Sequence, residues 1–282
     1  MVITVDSPLA RRAAQGAALL RTGQYNEGFK LFDGWRDDPA NLDKAPALPF
    51  PRWSGQPVAG KRFLVWSEHG VGDQIMYARF ARILQQRGAQ VSWLCAMPLT
   101  RLFASLGLTI LPADVSHDLA CDFYCPSSAL PLLFDFSAEP IPAEPYLFAT
   151  PRDVGAKVGF MPDASKLDRS MPAPLAAQLQ QTLGAIDLRP AATGAQDFQD
   201  TAEIIAGLDL VVTVDTSVAH LAGALGRPVW IFLGDGSDWR WLEGRSDSPW
   251  YPTATLFRGP WDAMVDQVRA KYALFRSDGS VG

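Results

Sequence analysis

LVVTVDTSVAHLAGALGRPVWIFL, residues 210–233, decides the fold of this chain. The apolar run Leu210 to Val214 leads into Asp215-Thr216-Ser217. Val218, Leu221, Ala222 and Leu225 then recur at i, i+3, i+4 and i+7, Gly226-Arg227-Pro228 breaks the pattern, and a second apolar run follows. The segment reads as strand, helix, strand. Both runs are nearly all apolar rather than alternating, so each strand reads as buried on both faces, and a helical crossover between such strands builds a parallel sheet. Pro228 opens the second strand, where its missing N–H does least harm. Ligands of parallel sheets gather at the carboxyl ends of the strands. Here that edge carries Asp215, Thr216 and Ser217, followed by a helix N-terminus whose unpaired N–H groups and dipole favour an anion such as a phosphate.

The whole chain sets the frame. Its 282 residues suggest about two domains, and a 48% hydrophobic content is that of a globular chain with a full-sized core. The net charge of −5 and the lack of any basic run argue against nucleic acid as a partner. Cys95, Cys121 and Cys125 form an odd set without metal-type spacing and read as core residues in a reducing compartment. There is no apolar run of membrane-spanning length and no apolar signal core. The expected location is the cytoplasm, free or peripheral to the inner membrane.

Upstream, residues 7–22 and 26–37 read as two short helices joined at Gly23-Gln24-Tyr25, with Gly28 placed where a small residue lets them approach. Prolines 39, 46, 49, 51 and 57 mark an extended linker over 38–60. Strands are expected at 63–67, 90–95, 108–111 and 122–124, with helices at 73–87 and near 99–106. After a proline-rich bridge at 141–153, strands are expected at 157–161 and 186–190 and helices at 173–184 and 201–207. Beyond the opening stretch come a strand at 254–257 and a helix at 261–275. This alternation gives an α/β chain of two Rossmann-like doubly wound units. The expected division is a helical hairpin and linker over 1–47, a first unit over 48–150, a second over 151–260 and a closing helix over 261–282.

Gly70-Val71-Gly72-Asp73 closes the first strand and opens the first helix. Its glycines suit a tight turn and close approach by a ligand. As a dinucleotide fingerprint it is incomplete, because Ile75 stands in place of the third glycine, which argues against a nicotinamide enzyme. Asp238-Trp239-Arg240-Trp241 continues a loop at the carboxyl edge. Either tryptophan suits stacking on a base or sugar, or folding into a lid core, and Arg240 suits phosphate. Gly234-Asp235-Gly236-Ser237-Asp238 lacks the spacing of an acidic metal motif and reads as a turn, so no metal is assigned.

VDTSVAHLAGALGRPVW resembles the Asp-Thr-x-x-x-His segment of the heptosyltransferase-like glycosyltransferases, glycosyltransferase family nine, in the variety attached to tetratricopeptide repeats in bacteria. DWRWLEGRSDSPWYP looks like the continuation in those members, Gly70 to Asp73 resembles their Gly-x-Gly-Asp turn, and Asp168 to Pro172 their Arg-Ser-x-Pro segment. The resemblance implies the GT-B architecture, with the closing helix returning to the first unit. It also implies transfer of a sugar from a nucleotide-diphosphate donor to a glycan or protein hydroxyl, with inversion and without metal or other cofactor. On it, Asp73 is the candidate base, against the plain alternative of a helix cap. His69, Gly70 and Gly72 form the acceptor-side turn, with His69 standing where the family more often has glutamine. Asp215, Thr216, Ser217, His220, Asp238, Trp239 and Arg240 hold the donor, with Arg169 or Lys166 supplying charge. The spacing of Gly23, Tyr25, Gly28, Phe32 and Pro39 is similar to a single tetratricopeptide unit, either simply packed or offering a face to a protein partner. The competing reading is a binding module that keeps the fold without turnover.

Overall fold

The computed structural model describes residues 8–33, 48–234 and 237–277. They form two all-parallel sheets and a helical hairpin. The first sheet holds β1 (Arg62–Trp66), β2 (Gln90–Cys95), β3 (Thr109–Pro112) and β4 (Phe123–Pro126) in the order β3-β2-β1-β4. Val65 sits opposite Trp93 on one side and Cys125 on the other. The second holds β5 (Val158–Met161), β6 (Ile186–Asp187), β7 (Leu210–Val214), β8 (Val229–Leu233) and β9 (Ala254–Arg258) in the order β6-β5-β7-β8-β9. Val212 lies between Phe160 and Trp230. In each sheet the chain order reverses once, between β1 and β4 and between β5 and β7. Such a reversal opens a crevice beyond the carboxyl ends of the strands.

The period of two along β7 divides the core. Leu210, Val212 and Val214 join one buried cluster with Phe160, Phe232 and Leu179, while Val211 faces the other with Ile231 and Leu256. That second cluster does not stop at the sheet. It runs through α6 (Ser217–Ala224) into α3 (Val71–Gln86), joining Val218 and Leu221 to Ile75 and Met76 of the first unit. Arg101 also bridges the units, to Asp197 at 2.9 Å and Asp200 at 3.1 Å. Its side chain is 57% exposed, and exposed pairs contribute little. Burying one large aliphatic side chain contributes about 1.5–3 kcal/mol, so the apolar α3–α6 contact holds the units together.

α1 (Pro8–Arg21) and α2 (Tyr25–Asp33) form the hairpin. A β-carbon on Gly28 would lie 2.8 Å from Leu20, so glycine there sets the helix separation. Phe29 packs against Phe136 of the first unit and edge-on against Trp239 and Trp250 of the second. Of the linker read at 38–60, the described part is seated rather than loose: Trp53 is buried against Phe63, and Phe50 meets Tyr124.

Three expectations change. The strand read at 186–190 ends at Asp187, because Pro190 starts a helical turn, Pro190–Thr193. The helix read from 201 begins at Phe198 as α5 (Phe198–Ala206), where the Asp197 carboxylate accepts from the Gln199 and Asp200 amides. The closing helix, α7 (Trp261–Ser277), does not return to the first unit. Its stripe of Met264, Val265, Val268 and Tyr272 covers the outer face of the second sheet beside α4 (Ala173–Leu183), and the Tyr272 hydroxyl donates to the Leu183 carbonyl at 2.7 Å. α4 covers only part of that apolar strand face, and the stripe of α7 fills the rest. Among the described residues no helix is long and apolar enough to cross a membrane.

Candidate functional site

A cleft of about 660 Å³ opens where the two crevices meet, a size usual for small-molecule sites. From the first unit come His69, Gly70, Gly72 and Asp73. From the second come Asp215, Thr216, Ser217, His220, Asp238 and Arg240, with Lys166 and Arg169 from the segment after β5 and Phe198 from α5. Nearly all the candidates drawn from sequence thus share one cavity, although Asp73 and Arg240 stand 167 positions apart in the chain.

The turn after β1 is built differently from its sequence reading. Gly70 has φ −73°, which any residue adopts; the left-handed position belongs to His69 at φ 67°. A non-glycine held there stores strain, which is characteristic of functional turns. Its Nε2 is 3.9 Å from the Glu68 carboxylate, and Glu68 in turn accepts from the Ser128 hydroxyl at 2.6 Å. Gly72 is required for another reason: a β-carbon there would lie 2.9 Å from His220 Cδ2 and 3.4 Å from Ser217 Cα. Bare backbone lets α3 and α6 cross at the cleft.

Asp73 caps its own helix, with Oδ2 accepting from the Gly70 amide at 3.1 Å. Oδ1 forms a 2.5 Å ion pair with Arg240 Nη2, and Arg240 Nη1 holds Asp238 at 2.6 Å. Arg240 lies 4.5 Å over the Trp239 ring and is almost fully enclosed. Burial opposes its charge, but Asp238, Tyr77 and Asp73 more than offset this and raise its pKa. Burial likewise opposes the Asp238 carboxylate, yet the Arg240 guanidinium and backbone amide bring it below its ordinary range.

On the other wall Asp215 is buried at the end of β7. It accepts from Arg169 Nη1 at 2.7 Å and Trp241 Nε1 at 2.8 Å. Burial still raises its carboxyl pKa against those two donors. Thr216 precedes α6 in extended conformation, and among the described residues the Thr216 and Ser217 hydroxyls have no hydrogen-bond partner. Lys166 has no ion-pair partner among them either, and lies exposed at the rim. His220 is packed flat on Trp241, with ring centroids 5.1 Å apart, and its Nδ1 is 3.0 Å from the Tyr251 hydroxyl. Burial, followed by the Arg240 guanidinium, pushes its pKa down to about 3 against the pull of Asp73 and Asp238, so the ring is neutral at physiological pH.

The cleft therefore offers an aspartate from one unit and, from the other, a helix N-terminus, two hydroxyls, a neutral imidazole and cationic side chains. That set suits a negatively charged ligand with a second, uncharged group beside it. Trp239 is not part of it. The side chain lies in the aromatic core with Phe29, Phe32 and Trp250, because the hairpin covers that side of the loop. Trp241 faces Asp215 and His220 rather than open space. Asp235 lies outside the described residues. Phe198 and Tyr251 were not singled out as site residues by the sequence reading; an Asn/Asp-type cap before Phe198 and the Trp250-Tyr251 pair were the available signals.

Residues 155–271 match the model of glycosyltransferase family 9 (heptosyltransferase). Protein FlbA of Caulobacter vibrioides is 25% identical over 90% of this chain and 53% of its own length, so the chain spans about half of that curated relative. Among solved structures, the iron-containing dodecameric glycosyltransferase TibC of enterotoxigenic E. coli is similar with a TM-score of 0.54 and 13% identity, over 73% of this chain and 64% of TibC. E. coli heptosyltransferase WaaC, solved with ADP-2-deoxy-2-fluoro heptose, gives 0.53 and 14%, over 77% of this chain and 99% of WaaC. These likenesses are of fold. The unit that supplies Arg169, the Ser217 helix and Arg240 is thus the part of the molecule that matches glycosyltransferase family 9 (heptosyltransferase).

Proposed function

We propose that the chain moves a sugar from a nucleotide-diphosphate donor to a hydroxyl of a glycan or protein, as a GT-B enzyme with inversion at the transferred carbon. The observation that carries this reading is the convergence, in one cleft, of Asp73 from the first unit with the Ser217 helix, His220, Arg169 and Arg240 from the second. The diphosphate would lie at the helix N-terminus, with the Thr216 and Ser217 hydroxyls and Lys166 or Arg169 stabilising the charge that develops on the leaving group. These residues supply that stabilisation without calling on a metal. Asp73 would accept the acceptor proton once the donor's phosphates draw Arg240 away from it.

The same carboxylate supports a second reading. Both Asp73 oxygens are engaged, one by the Gly70 amide and one by Arg240. A protein that binds a nucleotide-sugar or its product without turnover would look like this. The N-terminal hairpin, read as one tetratricopeptide-like unit, is the proposed face for a protein partner in either case.

A thermal-shift series with ADP-, GDP-, UDP- and CMP-sugars on wild type and His220→Ala tests the donor site, since a ligand of the native state raises the midpoint by mass action. The expected result is a shift with one nucleotide class that the variant loses. No shift in a folded sample would overturn the reading. Release of nucleoside diphosphate in the presence of acceptor, abolished in Asp73→Asn, separates transfer from binding alone.

A further inference from the structure

The geometry points to Tyr251 as a positioning residue that fixes the His220 ring with its proton on Nε2, so that a neutral N–H faces the cleft and donates to an oxygen of the bound diphosphate or sugar. The role of that N–H rests on the donor-site reading above; the position of the proton does not.

A neutral imidazole carries one N–H, and the partner of one nitrogen decides where it sits. The His220 ring has little freedom. It stacks on Trp241, whose indole N–H is tied to Asp215. On the other side Tyr251 rests directly on α6, where a β-carbon on Gly223 would lie 2.3 Å from Tyr251 Cδ1. Only glycine admits the phenol ring so close to the helix that carries His220. Nδ1 faces Tyr251 at 3.0 Å, and the opposite Cδ2–Nε2 edge borders Gly72 and the cleft. No described residue accepts a hydrogen bond from Nε2.

The direction of the Tyr251 bond follows from its neighbours. Arg79 is enclosed, can only donate, and lies against both the Tyr146 and Tyr251 hydroxyls, with its guanidinium carbon 4.6 Å from the Tyr251 ring centre. Tyr146 spends its single proton on the Ile75 carbonyl at 2.9 Å. The Tyr251 proton then has two acceptors, the Tyr146 oxygen at 3.5 Å and His220 Nδ1 at 3.0 Å. The shorter contact has normal hydrogen-bond geometry, the longer one is at the limit, and the nearby cation turns the O–H dipole away from itself. Tyr251 therefore donates to Nδ1, which places the imidazole proton on Nε2.

Nitrogen-15 NMR of ligand-free protein labelled at histidine reads this directly. The chain has three histidines, so His220→Gln assigns the signal. The expected spectrum shows His220 protonated on Nε2 alone in wild type and in Tyr146→Phe, and a shift of proton population to Nδ1 in Tyr251→Phe. A wild-type proton on Nδ1, or an unchanged pattern in Tyr251→Phe, overturns the proposal. If Tyr251→Phe does not fold, the wild-type spectrum still decides. Titration with inorganic pyrophosphate then tests the use of the N–H: Tyr251→Phe should bind about tenfold more weakly, the loss expected for one hydrogen bond to a charged group. Equal binding overturns that use. A wild type that binds no pyrophosphate overturns the donor-site reading while leaving the NMR result to judge Tyr251.

Discussion

Asp73 and Arg240, from opposite units, meet as a 2.5 Å ion pair inside the cleft, and Arg240 holds Asp238 with its other terminal nitrogen. The guanidinium side chain is 10% exposed and the Asp73 side chain 24%, so solvent screens this pair less than the Arg101 pairs, whose guanidinium side chain is 57% exposed. The pair ties the candidate base to the candidate donor side.

Removing the cation should therefore do more harm than removing one anion. Arg240→Met leaves Asp73 and Asp238 without their shared partner, and a loss of about 3–5 kcal/mol in urea unfolding is expected. Asp73→Asn leaves the Asp238 contact intact and should cost clearly less. Equal losses would show that Arg240 is held by packing on Trp239 rather than by charge.

The neutral state of His220 links stability to pH. Its folded pKa of about 3 lies below the ordinary 6.5, so between those values the unfolded chain binds the extra proton and acid favours unfolding. Wild type should lose up to about 1.4 kcal/mol more per pH unit than His220→Gln as pH falls below 6.5 towards 3. Above pH 6.5 the two curves should run parallel. Parallel curves throughout would mean the imidazole accepts a proton in the folded state.

Gly72→Ala places a methyl group between α3 and α6, 2.9 Å from His220 Cδ2. Overpacking of that kind costs about 1–3 kcal/mol, and the helix propensity of alanine recovers about 1 kcal/mol at most. A net loss in thermal unfolding is expected. A variant more stable than wild type would refute the close crossing.

Trp239 separates a core role from a ligand role. Trp239→Ala should destabilise by about 3–5 kcal/mol and make the hairpin helices more susceptible to limited proteolysis. Trp239→Phe should retain nucleotide-sugar affinity within about threefold, since the ring does not line the cleft. A larger loss of affinity in the Phe variant, in folded protein, would return Trp239 to the site.

Much of this was legible in residue order because the signals are local. The strand at Leu210–Val214, the helix at Ser217–Ala224 and the strand at Val229–Leu233 follow from apolar runs and Gly-Arg-Pro punctuation. Turn chemistry was less reliable. A Gly-x-Gly pattern marks a tight turn, but it does not say that His69 takes the left-handed position while Gly72 is needed for helix contact. Trp239 and Trp241 stand two apart in one loop, and nothing in the sequence tells which meets the hairpin and which stacks on His220.

Sequence alone determined the parallel α/β sheets and the edge on which their polar residues lie, since hydrophobic period and chain breaks act over a few residues and strand direction follows from the crossover helices. Only tertiary structure decided which charges pair. It also decided that the closing helix covers the second sheet and that Tyr251 reaches His220. Those outcomes depend on which apolar surfaces remain uncovered after the sheets form and on how closely α3 and α6 cross, quantities set by the packing of residues distant in the chain.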